Sequence, residues 1–252
     1  AWHVRSHRVV YSNFRDQRLW CIDDARGRDE PRPLTAEPTD EIADRFADGR
    51  FTPDGKWYVC VRERHVPGVE ARNEVVAVAT DGSQRVNVLA TGADFYASPR
   101  APLSGSQIAW VQWNHPDMPW DGTELWVASF ADGVITDARR VAGGRDESIV
   151  QPEWSADGSL YFCSDRSEWW NLYRWRDGDV IDPVVVGEFE IATPPWGFGL
   201  SRYVVLYDGV HYARGLPDRD VLFHSGEDVS SQSGTTAVES LATDGREIVF
   251  VG

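Results

Sequence analysis

Long apolar runs are missing from this 252-residue chain. Nothing in it approaches the ~20 residues of a membrane-spanning helix, and no signal-peptide pattern opens it. Positive charge is also scarce. Lys and Arg number 25 against 40 Asp and Glu, a formal net charge of -15, whereas phosphate backbones and anionic bilayers are bound through an excess of Lys and Arg. Nucleic acid and membrane are therefore not expected as partners, and an acidic field favours cationic ligands such as free amino termini. The 3 cysteines are few and odd in number. Two of them, Cys60 and Cys163, occupy one repeat position in different sheets, too far apart for a disulfide. They are expected as small core residues, which suits a reducing, cytoplasmic compartment.

Motifs for metal and phosphate chemistry are absent as well. His3, His7, His65, His115, His211 and His224 show no ligand spacing in sequence, and there is no H-E-x-x-H, P-loop or dinucleotide-binding glycine pattern. No metal and no cofactor is implied. Carboxylate pairs such as Asp23-Asp24 arise by chance among so many acids and carry little weight as general acids or bases. No amphipathic helical segment of normal length is found.

What the chain does contain is a repeat. A polar turn ending in Gly precedes a strand at Thr52-Pro53-Asp54-Gly55, Leu103-Ser104-Gly105, Ser155-Ala156-Asp157-Gly158 and Thr243-Asp244-Gly245. Three residues past each Gly stand Tyr58, Ile108, Tyr161 and Ile248; five past stand Cys60, Trp110, Cys163 and Phe250. That alternation is the period of a strand with one face in a core. Recurrence every ~45 to 53 residues predicts an all-β fold, a β-propeller of four-stranded blades.

Five complete blades and half of another can be laid out. They fall at about 1–36, 43–91, 93–142, 148–187 and 191–225. A Ser/Gly-rich loop follows at 226–234, then two strands at 238–242 and 248–251. A second recurring form, a polar residue before an apolar pair, marks the third strand of a blade at Arg18, Glu74, Glu124 and Asn171. Asp81-Gly82, Asp132-Gly133 and Asp177-Gly178 are hairpin signals, because Asp-Gly accepts positive φ.

The segment from Trp113 to Trp126, W-N-H-P-D-M-P-W-D-G-T-E-L-W, is too specific to come from propeller pattern alone. It resembles the propeller of bacterial prolyl oligopeptidase-family serine peptidases, especially the acylaminoacyl-peptidase-like and aminopeptidase-like branch. Tyr11 to Leu19, Gln151 to Ser155, Ser164 to Arg166 and Trp169 to Tyr173 resemble it too. The likeness covers about residues 1–200 and is loose from Gly209 onward. It implies a seven-bladed propeller followed by an α/β-hydrolase domain with a Ser-Asp-His triad. Here the nearest string to a nucleophile elbow, Gly199-Leu200-Ser201-Arg202-Tyr203, lacks the second Gly, so no catalytic residue is assigned. By that count the propeller is truncated at both ends and the hydrolase domain lies outside the chain. No Glu-Glu pair of the dipeptidyl peptidase kind is present.

Loops joining second to third strands share one face of a propeller. That places Asn13, Arg15 and Asp16 together with Glu63, Arg64 and His65 from the second blade. Asn114, Trp113, His115, Asp117 and Trp120 join from the third, and Asp165, Arg166, Glu168 and Trp169 from the fourth. Trp113, His115, Asp117, Trp120, Asp165, Arg166 and Trp169 are the candidates for contact with a peptide or with the hydrolase domain. The bland expectations are packing of a Pro-stiffened loop for Trp113 and Trp120, and an exposed intra-loop ion pair for Asp165-Arg166. The function expected is a noncatalytic, substrate-gating propeller of a peptidase acting on short peptides or acylaminoacyl peptides. The alternative is a free-standing propeller that binds a protein or peptide; a hydrolase using channel carboxylates is a third, weaker reading. An open ring would expose apolar faces near Ala1 and Gly252, so association into homo-oligomers or poor solubility is expected of the isolated chain.

Overall fold

The computed structural model describes residues 1–27, 29–230, 237–243 and 247–251. The last turn of the repeat, with Asp244, Gly245 and Arg246, lies outside them, as does the end of the expected 226–234 loop. Among the described residues there is no α-helix. Five four-stranded sheets run in chain order, each strand antiparallel to the next, followed by one two-stranded sheet. The first comprises β1 (Trp2–Arg5), β2 (Arg8–Ser12), β3 (Leu19–Ile22) and β4 (Arg32–Pro33). The second comprises β5 (Ala43–Phe51), β6 (Trp57–His65), β7 (Arg72–Ala79) and β8 (Val86–Ala90). The third holds β9 (Phe95–Arg100), β10 (Gln107–Trp113), β11 (Glu124–Ala131) and β12 (Val134–Gly143). The fourth holds β13 (Ile149–Trp154), β14 (Leu160–Ser164), β15 (Asn171–Trp175) and β16 (Ile181–Val185). The fifth is β17 (Tyr203–Leu206), β18 (Gly209–Gly215), β19 (Asp220–His224) and β20 (Glu227–Asp228), and the pair is β21 (Glu239–Thr243) with β22 (Ile248–Val251). These are propeller blades in the number expected.

Two details differ from expectation. The fifth sheet starts at Tyr203, because Pro194 and Pro195 lack the N–H a ladder needs; Ile191 is still fully buried, its N–H bonded to the Trp170 carbonyl. It ends with β20 inside the segment expected to be loop. There Ser225 and Gly226 both take positive φ (51° and 83°), closing a tight hairpin in which His224 pairs with Glu227. Of the three Asp-Gly signals, Asp132-Gly133 alone makes a two-residue turn, with both residues left-handed (φ 47° and 77°). The other two sit inside longer connections.

Contacts divide the chain into two units, Ala1–Pro116 with Trp126–Arg139, and Asp117–Leu125 with Arg140–Gly252. In the first, β6 corrects the expectation of a single buried face. Tyr58 and Cys60 pack with Val10, Leu19 and Cys21 of the first sheet. Trp57, Val59 and Val61 pack with Tyr96, Ile108 and Trp110 of the third. Both faces of the strand are in cores, so the period of two sorts residues between two neighbours rather than between core and water. In the second unit, Val150, Tyr161, Cys163 and Leu172 share a core with Tyr203 and Tyr212, while Val204, Ala213 and Leu222 pack on Val238 and Leu241. All three cysteines are free and buried, and burial pushes the Cys60 and Cys163 thiols up.

The repeated turns have a common mechanism. Asp54 Oδ1 accepts from Thr52 Oγ1 (2.6 Å) and from the Lys56 N–H (3.1 Å); Asp157 accepts likewise from Ser155 Oγ and from the Ser159 N–H. The following Gly55 and Gly158 take φ of 70° and 83°. These bonds hold the Asp157 carboxyl down at about 2.

First strands carry a second repeated feature. Asp48, Ser98, Gln151 and Ser240 all have positive φ, and the ladder shifts register beside each of them. The Asp48 carboxylate accepts from the Ser98 N–H (2.6 Å) and from the buried Arg100 guanidinium (3.1 Å). In the other unit, Gln151 bonds Ser201, Arg202 and Tyr203 of the following sheet. A further buried pair, Arg62 with Glu74, stands directly across β6 and β7.

Two outcomes follow. Asp48→Ala removes the carboxylate that bonds the buried Arg100 guanidinium and the Ser98 N–H and should cost about 3 kcal/mol in urea unfolding, with Asp48→Asn costing less. Asp157 has a depressed folded-state pKa, so its stabilisation is present above the ordinary value of 3.8 and is lost as pH falls towards about 2. Asp157→Asn should therefore flatten the acid-side decline in urea midpoint; an unchanged slope would refute the assignment.

Candidate functional site

In the first unit, the β10–β11 connection begins on a stack of rings. Trp113, the last residue of β10, lies on Phe95 at 5.3 Å, and His115 meets the edge of the same ring at 4.8 Å. Asp94 organises the backbone around them. Its Oδ2 accepts from the His115 N–H (2.9 Å), its own N–H donates to Asn114 Oδ1 (2.9 Å), and its carbonyl accepts from Asn73 Nδ2 (2.7 Å). The His115-Pro116 peptide is cis. His115 stands exposed on the wall of a cleft of about 380 Å³ that also takes in Glu63, Glu70, Arg72, Asp94 and Phe95. Three carboxylates face one guanidinium, and Arg72 is already bonded to Glu74 (3.1 Å). With Glu63 paired to Arg45 and His65, Glu70 and Asp94 leave the cleft acidic.

Glu63, Arg64 and His65 correct an expectation. They are the last residues of β6, not a loop, and cross-strand partners engage them. Arg64 makes two 2.8 Å bonds to Asp44, and Glu63 pairs with Arg45 (3.5 Å) and with His65.

In the second unit, the Asp117–Gly122 stretch closes on itself: Asp121 Oδ2 accepts from the Met118 N–H, and Asp121 N–H donates to the Met118 carbonyl, both at 2.9 Å. Asp117 pairs with Arg145 at 3.4 Å. Trp120 packs on the fourth-to-fifth sheet core and against Trp196 at 4.4 Å, whose ring is 78% exposed. Ser148 links this stretch to the β14–β15 loop, its hydroxyl donating to the Pro119 carbonyl and its N–H to Asp165 Oδ1, both at 2.7 Å.

The expected Asp165-Arg166 pair does not form. Arg166 bonds Glu147 (2.6 Å) and lies over the Tyr173 ring at 5.0 Å. Asp165 instead caps the Ser148 backbone, and its pKa is raised, by burial first and by the nearby Glu147 charge. Glu190, which accepts from the Trp170 N–H (2.6 Å), is also raised by burial and by Asp165. Trp169 is half-exposed at the same loop. The unit therefore joins aromatic faces to carboxylates that resist ionisation.

The sequence pattern missed Asp94, Phe95, Glu147 and Trp196. The first three precede or begin first strands, outside the loops considered; the fourth follows a Pro-Pro pair, a signal of the same kind as Pro116 and Pro119. It also missed a group on the fifth sheet: Asp208, His211 and His224 lie together there. Their spacing in sequence gives no sign of it.

No protein-family model matches the chain, and no curated protein does. Solved structures do. A puromycin-hydrolysing peptidase of Mycobacterium tuberculosis matches all of it at 35% identity with a TM-score of 0.85. A puromycin hydrolase matches all of it at 33% and 0.88. The chain spans 41% of each. Prolyl oligopeptidase B of Galerina marginata, at 13% identity and TM-score 0.63, shares the fold. These likenesses define a class, the propeller domains of peptidases. Within it, the chain matches over its whole length the propeller region of prolyl oligopeptidase-family peptidases, the resemblance that the Trp113–Trp126 segment carries. The likeness runs through the tail beyond Gly209 as well, where the sequence resemblance is loose.

One titration tests the second unit. In Glu147→Gln the Asp165 carboxyl should titrate at lower pH than in the native chain, read by carboxyl-carbon NMR, because one of the two causes raising it is gone. An unchanged midpoint would leave burial as its sole cause.

Proposed function

We propose that this chain is the noncatalytic, substrate-gating propeller of a serine peptidase acting on short peptides, acylaminoacyl peptides or small aminoacyl compounds such as puromycin. One observation carries the reading: the whole chain matches 41% of peptidases named for puromycin hydrolysis, at 33% and 35% identity. The remainder of such a protein would hold the α/β-hydrolase domain, with acyl transfer through a serine and water as final acceptor.

The chain's own residues fit a supporting part. Ser201, in its nearest approach to a nucleophile motif, is held by Gln151 Nε2 (3.1 Å) and the Tyr203 carbonyl (3.3 Å). The first is a latch contact between sheets, the second is local, and neither is a base poised to take its proton. His115 in its acidic cleft suits the amino end of a substrate, and Trp120, Trp196 and Trp169 offer apolar faces to side chains or to the partner domain. A propeller in front of the active site would admit short or unfolded peptides and exclude folded ones.

The test is an assay of the intact protein on puromycin and on aminoacyl and acyl-aminoacyl chromogenic substrates. Hydrolysis should be abolished by a serine-directed reagent, and folded proteins should survive. Activity that withstands the reagent, or equal cleavage of folded proteins, would overturn the proposal. An inactive protein that binds peptides would instead favour a free-standing propeller.

A further inference from the structure

The fifth sheet gathers three side chains for which peptide gating has no use. His211 on β18 and His224 at the end of β19 are cross-strand partners, their rings stacked at 4.1 Å and 14°. Asp208 stands in the two-residue turn between β17 and β18. Its Oδ1 is 3.3 Å from His211 Nε2 and its Oδ2 is 3.9 Å from His224 Nε2. Gly209 sets that turn with a φ of 129°, and a Cβ there would stand 3.5 Å from His224 Cε1. One donor atom from each of the three residues lies within 4.8 Å of the other two.

We propose that Asp208, His211 and His224 form a site for a divalent metal ion of the zinc class. Two imidazole nitrogens and one carboxylate oxygen are a donor set that zinc accepts, and hard cations such as Ca²⁺ and Mg²⁺ prefer oxygen alone. In a tetrahedral zinc site with bonds of about 2.0–2.1 Å, neighbouring donors stand roughly 3.3 Å apart. Asp208 and His211 already have that separation.

The surroundings set the His224 imidazole for the task. His224 Nδ1 lies 3.3 Å from the Val210 carbonyl, an acceptor only. Nδ1 therefore carries the proton, and Nε2 presents its lone pair beside Asp208. Ser225 Oγ, 3.4 Å from that Nε2, can hold a water on the ion. His211 is nine-tenths buried and its Nδ1 has no hydrogen-bond partner, so the ring is tied only on its Asp208 side. A divalent ion serves both rings and the carboxylate at once. Three protein ligands leave one position for water, and the ion would clamp the β17–β18 turn to β19.

The site is independent of the peptidase reading, and so is its test. Tag-free protein, stripped with chelator, is titrated with ZnCl₂ by calorimetry, and Co²⁺ is added separately to record visible absorption. One zinc per chain is expected, together with the intense bands of tetrahedral cobalt. His211→Asn, His224→Asn and Asp208→Asn should each weaken zinc binding by more than the ~10–100-fold that loss of a supporting residue causes. His7→Asn, an exposed histidine elsewhere, should change nothing. Asp208 is itself exposed in a turn, so its variant keeps the test valid if a histidine variant fails to fold. Absence of saturable binding, or equal binding by native and Asp208→Asn protein, would overturn the proposal.

Discussion

A residue in left-handed conformation stands at the bulge of β5, β9, β13 and β21, and in β5 and β13 its side chain ties one sheet to the next. First strands lie beside one another within each unit, β1 by β5 and β5 by β9 in one, β13 by β17 and β17 by β21 in the other. Two extended strands side by side without a shared ladder leave polar backbone to be satisfied. The bulge turns a side chain toward that gap. Asp48 reaches the Ser98 N–H, and Gln151 reaches the Arg202 N–H about fifty residues on. An Asp and a Gln do the same task because each offers an oxygen acceptor at the end of a short arm.

Everything else in the blades is arranged around that sequence of sheets. A middle strand such as β6 has no solvent face, so its apolar residues satisfy one neighbour at even positions and another at odd ones. Polar groups enter such a strand only with partners, as Arg62 does with Glu74 and Asp44. At the margin, Arg8 and Arg32 of the first sheet grip the Gly55 and Thr80 carbonyls of the second. Asp23, held below the usual carboxylate range chiefly by Arg32, supplies their counter-charge. Loops that project beyond these tied sheets are then free to carry recognition.

Much of this was legible residue by residue. The position before the apolar pair of a third strand reads simply as polar, and in the fold it is a fastening point met with three chemistries. Arg18 donates to the Thr35 carbonyl, Glu74 pairs with Arg62, Glu124 with Arg140, and Asn171 bonds Phe189 and Gly187. The expected loop at Glu63–His65 is the end of β6, and the bonding of the other loops was not legible. Arg166 turns to Glu147 rather than to the adjacent Asp165, since the neighbouring acid is occupied by the Ser148 N–H and is hard to ionise. Adjacent residues in a turn point apart, and partners come from other strands.

By itself the sequence determined the strand periodicity, the turns and the number of sheets, because these depend on contacts within a few residues and on a repeat that can be counted. The Trp113–Trp126 segment carried the family resemblance for the same reason: it is a continuous string. Tertiary structure alone decided that both faces of β6 are buried, that Asp94 and Phe95 hold His115, and that His211 meets His224 beneath Asp208. Each of those depends on register and on which sheet lies alongside, distances in space that no spacing along the chain encodes.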